Sequence, residues 1–248
     1  MLNEDVLKEF IFECEMRRLS KRTIQSYRNA NLRMMKYLEQ EFHITELEQT
    51  HHLAIRAYVQ YQTAQGLAET YINRNMIAYR CYFNYCIKEN YITNNPMDRI
   101  SKQKEPIVMI ETFNDDEVKR LIGVFKGSRF LDVRNQLLMV MFFDTGMRNS
   151  EMCDLKIEDL RDTYIRVMGK GKKMRYLPIT PFINKYLIRY LRVRESYIKD
   201  KLCYQTEYLF LSQKGKRLTP EAMEHILKKA GEKAIVRSHI RVSPHTCR

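Results

Sequence analysis

The stretch DTGMRNSEM, Asp144–Met152, is the most informative part of this 248-residue chain. It overlaps the end of a strongly apolar segment that includes LLMVMFF, residues 137–143, and this composition predicts a buried helix. Gly146 predicts where that helix ends, because glycine readily adopts the left-handed conformation that closes a helix. Arg148 then lies near the N-terminus of the next predicted helix, where backbone N–H groups favour anions. We interpret Arg148 as a candidate anion-binding residue; a surface arginine after a helix cap is the alternative.

A second informative segment is VMGKGKKMRYLPI, residues 167–179. Tyr164–Met168 and Met174–Ile179 predict two short strands, and the glycines between them predict a tight turn. Lys170 at this turn is therefore held away from the body of the protein, where an ammonium group can reach a phosphate as a point charge. The alternative is a solvated basic turn. The segment does not fit the GxxxxGK[ST] pattern of a nucleotide-binding loop.

The third segment is SPHTCR, residues 243–248. Ser243 predicts a helix cap and Pro244 the first helical position, which would place His245 and Arg248 three residues apart on one face. A metal site needs several ligands at suitable spacing, and Cys247 would point away from its neighbours on a helix. We therefore expect neither a metal site nor a cofactor.

The combination of these segments carries more weight than any one of them. An arginine after T-G-M, a lysine within G-K-G and a His-x-x-Arg pair occur in this order, and in this the sequence resembles the tyrosine recombinases, the phage-integrase family of site-specific DNA recombinases. TGMRNSEM resembles the family's first arginine box, VMGKGKKMRYLPI its lysine hairpin, and SPHTCR its histidine–arginine box. LSKRTIQSYRNANLRMMKYL and NRNMIAYRCYFNYCIKENYITNNPM are similar to the two DNA-facing helices of the family's core-binding domain.

The resemblance implies a particular chemistry, in which a tyrosine hydroxyl attacks a DNA phosphodiester and leaves a 3′-phosphotyrosyl link. It implies that Arg148 and Arg248 stabilise the charge on the non-bridging oxygens. Lys170 would protonate the departing 5′-oxygen, and His245 would orient or deprotonate the nucleophile. Glu151, three residues after Arg148, would hold this arrangement in place; an ordinary solvated glutamate is the alternative.

The nucleophile is not among these 248 residues. In the family the tyrosine follows the histidine–arginine box, whereas all sixteen tyrosines of this sequence precede His245. We therefore expect a chain that lacks its nucleophile, through truncation or an unrecorded C-terminus. Such a chain would bind DNA without forming a covalent adduct alone, and a full-length partner could supply the tyrosine in trans.

The predicted fold class is mainly α with a small antiparallel β-sheet. Four predicted helices form a helical, SAM-like core-binding domain over residues 1–95. A linker over 96–112 leads to an α+β catalytic domain over 113–248, C-terminally incomplete. The sequence predicts helices at about 52–65, 70–89, 115–125, 130–144, 181–200 and 219–230 besides two within 3–42, and a third strand at 208–212.

The net charge of +13 predicts a polyanionic partner. Part of this charge is local, since residues 161–200 hold eleven basic and three acidic side chains. The resemblance implies duplex DNA with short inverted core sites and a homotetramer on that DNA, with affinity that falls steeply with salt. The candidate DNA contacts, each of which could instead be a solvated surface residue, are Lys21, Arg22, Thr23, Arg28, Arg74, Asn75, Arg80, Lys172 and Arg175.

Three other functions account for parts of the sequence. A non-catalytic DNA-binding regulator derived from the recombinase fold explains the charge but not the ordered set of motifs. A type IB topoisomerase shares the chemistry but carries a larger clamp than this compact front end. A peripheral membrane protein is disfavoured, because the basic stretch is not an amphipathic helix with an aromatic face.

No segment is apolar enough to span a membrane, and six cysteines without a disulfide framework predict a reducing, cytoplasmic location. Because the chain opens directly on the core-binding helices, we expect a simple Xer-like or mobile-element integrase.

Overall fold

The structure is a computed structural model, and it describes residues 1–107, 109, 111–169, 173–200 and 206–247. The chain divides into two compact units, Met1–Val108 and Met109–Arg248. Each has its own apolar core. The two units are therefore described one at a time.

Over its described residues the first unit contains four α-helices. The Ser20 hydroxyl caps α2 (Lys21–Phe42) by accepting the Thr23 N–H at 3.1 Å, and Gly66 follows α3 (His52–Ala64) in the left-handed conformation with φ of 72°. The core is rich in aromatic rings, and Tyr79, Tyr82 and Phe83 are fully buried. The helices are α1 (Asn3–Met16), α2 (Lys21–Phe42), α3 (His52–Ala64) and α4 (Glu69–Lys88).

Part of the segment predicted as a linker packs against this first unit. Met97 and Ile100 are buried in its core. The guanidinium of Arg80 donates to the Ile100 carbonyl, and the side chain of Asn73 donates to the Gln103 carbonyl at 2.8 Å. The two apolar side chains were hidden in the sequence by the polar and proline residues around them. The side chain of Asn73 also donates to Glu105 Oε1 at 2.8 Å, so the chain is held to the first unit as far as Glu105.

The second unit combines five α-helices with a two-stranded antiparallel sheet in the part of the chain that the structure describes. Together with the helical first unit, this confirms the predicted fold class. The long helix α6 (Phe130–Thr145) is buried along Leu137–Phe142, as its apolar sequence predicts. The strands pair with Val167 opposite Arg175. The elements are α5 (Asp115–Gly123), α6 (Phe130–Thr145), α7 (Asn149–Asp154), β1 (Tyr164–Met168), β2 (Met174–Pro178), α8 (Pro181–Asp200) and α9 (Pro220–Ala234).

The predicted third strand at 208–212 was wrong. Tyr208 and Leu211 form only isolated bridges, with Lys156 and Arg217. Side chains from two helices take up carbonyl groups of this buried segment that a strand partner would otherwise use. The Leu209 carbonyl accepts bonds from Tyr190 Oη and Arg194 Nε, and the Leu211 carbonyl accepts one from Arg134 Nη1.

The predicted helix at Ser243 is a single turn within the described residues. Ser243 does cap it, since its hydroxyl accepts the Thr246 N–H at 3.4 Å and its carbonyl accepts the Cys247 N–H at 3.2 Å. Over the described ranges the structure contains no helix long and apolar enough to cross a membrane.

Candidate functional site

The connection between α6 and α7 places Arg148. Helix α6 ends at Thr145, and Gly146 closes it with a left-handed φ of 59°. Met147 is fully buried beneath the turn. Arg148 itself is the extended N-cap residue of α7, and 44% of its side chain is exposed. Its guanidinium therefore lies beside a helix N-terminus and remains open to an anion from solvent.

Glu151 is the residue that holds Arg148. Its Oε2 accepts the backbone N–H of Arg148 at 2.8 Å, and its Oε1 accepts the guanidinium Nη1 of Arg148 at 2.9 Å. The carboxylate is buried, with only 4% of the side chain exposed. Position i+3 on a helix predicts this proximity, and the structure places Glu151 in direct contact with Arg148.

Arg175 forms a second ion pair with the same carboxylate. Its Nη1 lies 2.9 Å from Oε1 of Glu151 and its Nη2 lies 2.7 Å from Oε2, which is a bidentate pair. The sequence predicted Arg175 as a DNA contact. In the structure its guanidinium binds Glu151, so side chains of β2 and α7 meet at this carboxylate.

The ion pairs determine the protonation of Glu151. Burial alone would raise the pKa of this carboxyl group, but the hydrogen bonds from Arg175 and Arg148 outweigh burial and lower the pKa to about 2. Glu151 is therefore ionised at neutral pH. The partner effect on Arg175 has the matching sign, since the bond to Glu151 raises the pKa of its guanidinium.

Gly169 packs directly over this pair of ions. A Cβ atom at this position would lie 3.3 Å from Arg175 Nη1 and 3.6 Å from Glu151 Oε1. The Gly169 N–H also bonds to the Lys173 carbonyl at 2.8 Å, which closes the base of the β1–β2 hairpin. The hairpin base, β2 and α7 thus meet at one buried carboxylate.

Three of the predicted site residues, Lys170, Lys172 and Arg248, lie outside the described residues. Of the catalytic candidates that are described, Arg148 and Glu151 are brought together. His245 is exposed on the turn that Ser243 caps, and Cys247 at the end of that turn is buried in the core of the second unit.

The segment that leads to His245 is fixed by a close approach to α9. A Cβ atom on Gly231 would lie 2.4 Å from Cγ2 of Val242 and 2.8 Å from its Cβ. Such distances do not occur between real side chains, so only glycine fits at this position of the helix. Gly231 therefore sets how closely the chain before His245 lies to α9.

We expect replacement of Gly231 by alanine to destabilise the protein. Alanine favours a helix over glycine by up to about 1 kcal/mol, but overpacking against Val242 costs about 1–3 kcal/mol. Gly123→Ala is the matched control, because a Cβ there would meet only Lys126 Cε, at 3.7 Å. Urea unfolding should show a loss of stability for Gly231→Ala, none for Gly123→Ala, and recovery in Gly231→Ala combined with Val242→Ala. Equal stability of the two single variants would contradict the close approach.

A network around Arg237 was not predicted from the sequence. Its Nε donates to Oε1 of the buried Glu117 at 3.0 Å, its Nη1 lies 3.1 Å from Oε2 of Glu111, and its Nη2 bonds to the Thr112 carbonyl. The hydrogen bond from Arg237, helped by the Asn114 N–H, lowers the pKa of Glu117 to about 2. The sequence signal for this network was Glu117, a glutamate in DDEVKRLI at a position where helical spacing predicts an apolar residue.

The candidate DNA contacts of the first unit fall into two groups. Lys21, Arg22, Arg28 and Arg74 are exposed. The remaining three, Thr23, Asn75 and Arg80, are engaged or buried: the Thr23 hydroxyl bonds to Ser20 at 2.8 Å, and Arg80 is half-buried against Ile100. Asn75 is 4% exposed, so its inclusion among surface contacts was wrong. It lies on the face of α4 that packs into the core, as Ile72 and Tyr79 do.

No group of His, Cys, Asp or Glu side chains that could hold a metal ion occurs among the described residues. What the site offers chemically is the positively charged guanidinium of Arg148, which Glu151 holds in place and which is open to solvent. Such donors stabilise an anion whose charge increases during a reaction, because they are oriented before the reaction begins.

Comparisons with known proteins give consistent matches to both units. Residues 111–248 match the phage integrase family, and residues 8–90 match the phage integrase N-terminal SAM-like domain. Tyrosine recombinase XerC of Bacillus pumilus is 30% identical over 91% of this chain and 74% of its own length. A crystal structure of XerH site-specific recombinase bound to palindromic difH substrate is 25% identical, with a TM-score of 0.73 over 91% of this chain and 66% of that one. A lambda integrase (75–356) dimer bound to a COC′ core site has the same fold at 17% identity, with a TM-score of 0.75 over 100% of this chain and 87% of that one.

Proposed function

The chain belongs to the phage integrase family, the tyrosine recombinases, and from this premise we propose that it acts in site-specific DNA recombination by phosphotyrosine strand exchange. The observation that carries the proposal is the fixed guanidinium of Arg148. It is held at 2.9 Å by the buried Glu151 beside the N-terminus of α7. A planar, permanently charged fork in this setting suits a phosphate whose non-bridging oxygens gain charge in the transition state.

The other catalytic roles follow from the family's motifs. Arg248 joins Arg148 in binding the phosphoryl oxygens, Lys170 protonates the 5′-oxygen as it leaves, and His245 assists the nucleophile. Glu151 acts on the reaction through Arg148 and is a positioning residue. The family match over 111–248 includes all of these positions.

We propose duplex DNA with short inverted core sites as the partner, and four protomers on two sites as the active assembly. The DNA partner is supported by two solved relatives, a XerH complex with difH substrate and a lambda integrase dimer on a COC′ core site. The assembly of four protomers is what the family resemblance implies. On this chain the exposed Lys21, Arg22 and Arg28 of α2 and Arg74 of α4 are the proposed phosphate contacts of the first unit.

We expect binding of the 248-residue chain to core-site DNA to depend steeply on salt. Each phosphate contact releases a counterion, so that six to ten contacts reduce affinity by roughly 10³–10⁵ between 50 and 200 mM salt. Fluorescence anisotropy with a labelled duplex measures this dependence. Removing the charges of Lys21 and Arg22 together should reduce the slope of log K against log salt by about two. Glu195→Gln, at an exposed ion pair on α8, is the control and should leave the slope unchanged.

The same chain should bind nicked suicide DNA without a covalent link, since all sixteen tyrosines precede His245. Denaturing gels separate a 3′-phosphotyrosyl adduct from free DNA. An adduct formed by residues 1–248 alone would disprove the prediction that the nucleophile is not among these residues. A full-length protein with a defective Arg148 can supply only the tyrosine. If the chain binds DNA specifically but no adduct forms after this protein is added, the DNA-binding regulator is favoured instead.

A further inference from the structure

We infer that Arg175 is a positioning residue which, through Glu151, holds Arg148 and the base of the β1–β2 hairpin in one arrangement. It does not serve as a DNA contact itself. The catalytic meaning of this inference rests on the proposed function, whereas the arrangement itself is a property of the second unit alone. Arg148, Glu151, Gly169 and Arg175 together form what we call the Glu151 clamp.

The Glu151 carboxylate is bonded by two arginines from separate elements. Oε1 accepts Nη1 of Arg148 and Nη1 of Arg175, both at 2.9 Å. Oε2 accepts the Arg148 N–H at 2.8 Å and Nη2 of Arg175 at 2.7 Å. Four donors thus occupy the four lone-pair sites of one carboxylate. Movement of either arginine would therefore affect the other.

The burial pattern separates a positioning role from DNA contact. The Glu151 side chain is 4% exposed, against 34% for Arg175 and 44% for Arg148. If Arg175 moved to a DNA phosphate, a buried carboxylate would lose its bidentate partner, which is costly. The guanidinium of Arg148 gives only Nη1 to Glu151, and its side chain is the more exposed of the two. Of these two arginines, Arg148 is the one suited to reach an anion while the clamp stays closed.

Gly169 extends the clamp to the hairpin. Its Cα lies so close that an added Cβ would be 3.3 Å from Arg175 Nη1 and 3.2 Å from the Lys173 carbonyl. Lys170, the proposed general acid, follows Gly169 directly in the sequence. Arg175 therefore joins the segment that carries the proposed acid to the arginine proposed to bind the phosphate.

The first test examines the clamp without DNA. Guanidinium nitrogen NMR signals of the 248-residue chain report hydrogen bonding of each arginine and the rotation rate of its Nη groups. We expect Arg175→Met and Arg175→Lys both to shift the Arg148 signal and to accelerate its rotation. Lysine cannot replace a bidentate fork. Arg166→Met is the matched control, because Arg166 lies on β1, is also 34% exposed and pairs with Asp159 rather than Glu151. An Arg148 signal that is unchanged in Arg175→Met would overturn the inference.

The second test examines the phosphate. Wild-type chain should bind core-site duplex roughly tenfold or more tightly than the same duplex with a neutral methylphosphonate at the scissile position, since a hydrogen bond to a charged group is lost. We expect this ratio to fall to roughly threefold or less in both Arg175 variants and to persist in Arg166→Met. Full retention of the ratio in Arg175→Lys with a loss in Arg175→Met would identify a direct phosphate contact and overturn the positioning role.

The two tests distinguish a failure of the proposed function from a failure of the clamp. If wild-type chain shows no discrimination against the methylphosphonate, the proposed function is contradicted while the NMR result still decides whether Arg175 controls Arg148. If discrimination is present but the Arg148 signal is the same in Arg175→Met as in wild type, the proposed function stands and the clamp is refuted.

Discussion

Replacing Arg148 with lysine is expected to lower the rate of DNA strand cleavage by about 100- to 1,000-fold, almost as far as replacement with alanine. The lysine keeps the positive charge, but its compact ammonium group has no planar fork. It therefore cannot donate to Glu151 and to two phosphoryl oxygens at the same time. Because only one of many phosphate contacts changes, the slope of log K against log salt should decrease by about one unit at most. The effect should therefore appear in the chemical step.

The measurement is single-turnover cleavage of a nicked suicide duplex by the protein as its gene encodes it. Arg166→Ala serves as the control, because it removes an arginine of the same unit whose partner is Asp159, at 2.8 Å. Its cleavage rate should match wild type. Should Arg148→Lys retain more than about a third of the wild-type rate, a transition-state role for the guanidinium fork would be excluded.

The sequence was sufficient for contacts that are local along the chain. Position i+3 on a helix predicts that Arg148 and Glu151 are neighbours, and Nη1 of Arg148 lies 2.9 Å from Oε1 of Glu151. Ser20 and Ser243 likewise cap the turns that follow them. Short-range geometry is set by backbone periodicity, which the residue spacing encodes directly.

Contacts between distant segments could not be predicted in the same way. The Arg175–Glu151 pair joins residues 24 apart, and its formation requires both the register of β2 and the packing of α7. The Arg237–Glu117 pair joins residues 120 apart. In both cases an arginine resembles a surface cation in the sequence, because its partner is specified only by the tertiary fold.

Residue type was misleading at two positions. Asn75 is a polar side chain on the buried face of α4, where helical position outweighs polarity. The apolar stretch at 208–212 has the composition of a strand, yet Tyr190, Arg194 and Arg134 bond to its carbonyl groups. A side chain that satisfies a backbone carbonyl removes the need for a neighbouring strand.

The second large effect is expected at Glu151, where replacement by alanine should lower the free energy of unfolding by about 3 kcal/mol at pH 7. The change removes the shared acceptor of two arginines, whose like charges then lie close together. Glu151→Gln preserves the shape and isolates the charge. Glu195→Gln is the matched control, since Glu195 and Lys199 are 70% and 71% exposed, and its unfolding curve should coincide with that of wild type.

Acid titration tests the same interaction with a defined sign. The pKa of Glu151 is lowered in the folded protein to about 2, against an ordinary value of 4.5. A lowered pKa means that the unfolded chain binds the proton more tightly, so the contribution of Glu151 is complete above pH 4.5 and disappears as the pH falls toward 2. The difference in unfolding free energy between wild type and Glu151→Gln should therefore be constant from pH 7 to 5 and shrink from pH 4.5 downward. A difference that stays constant to pH 2.5 would mean that hydrogen bonding and shape, rather than the carboxylate charge, connect α7 to β2.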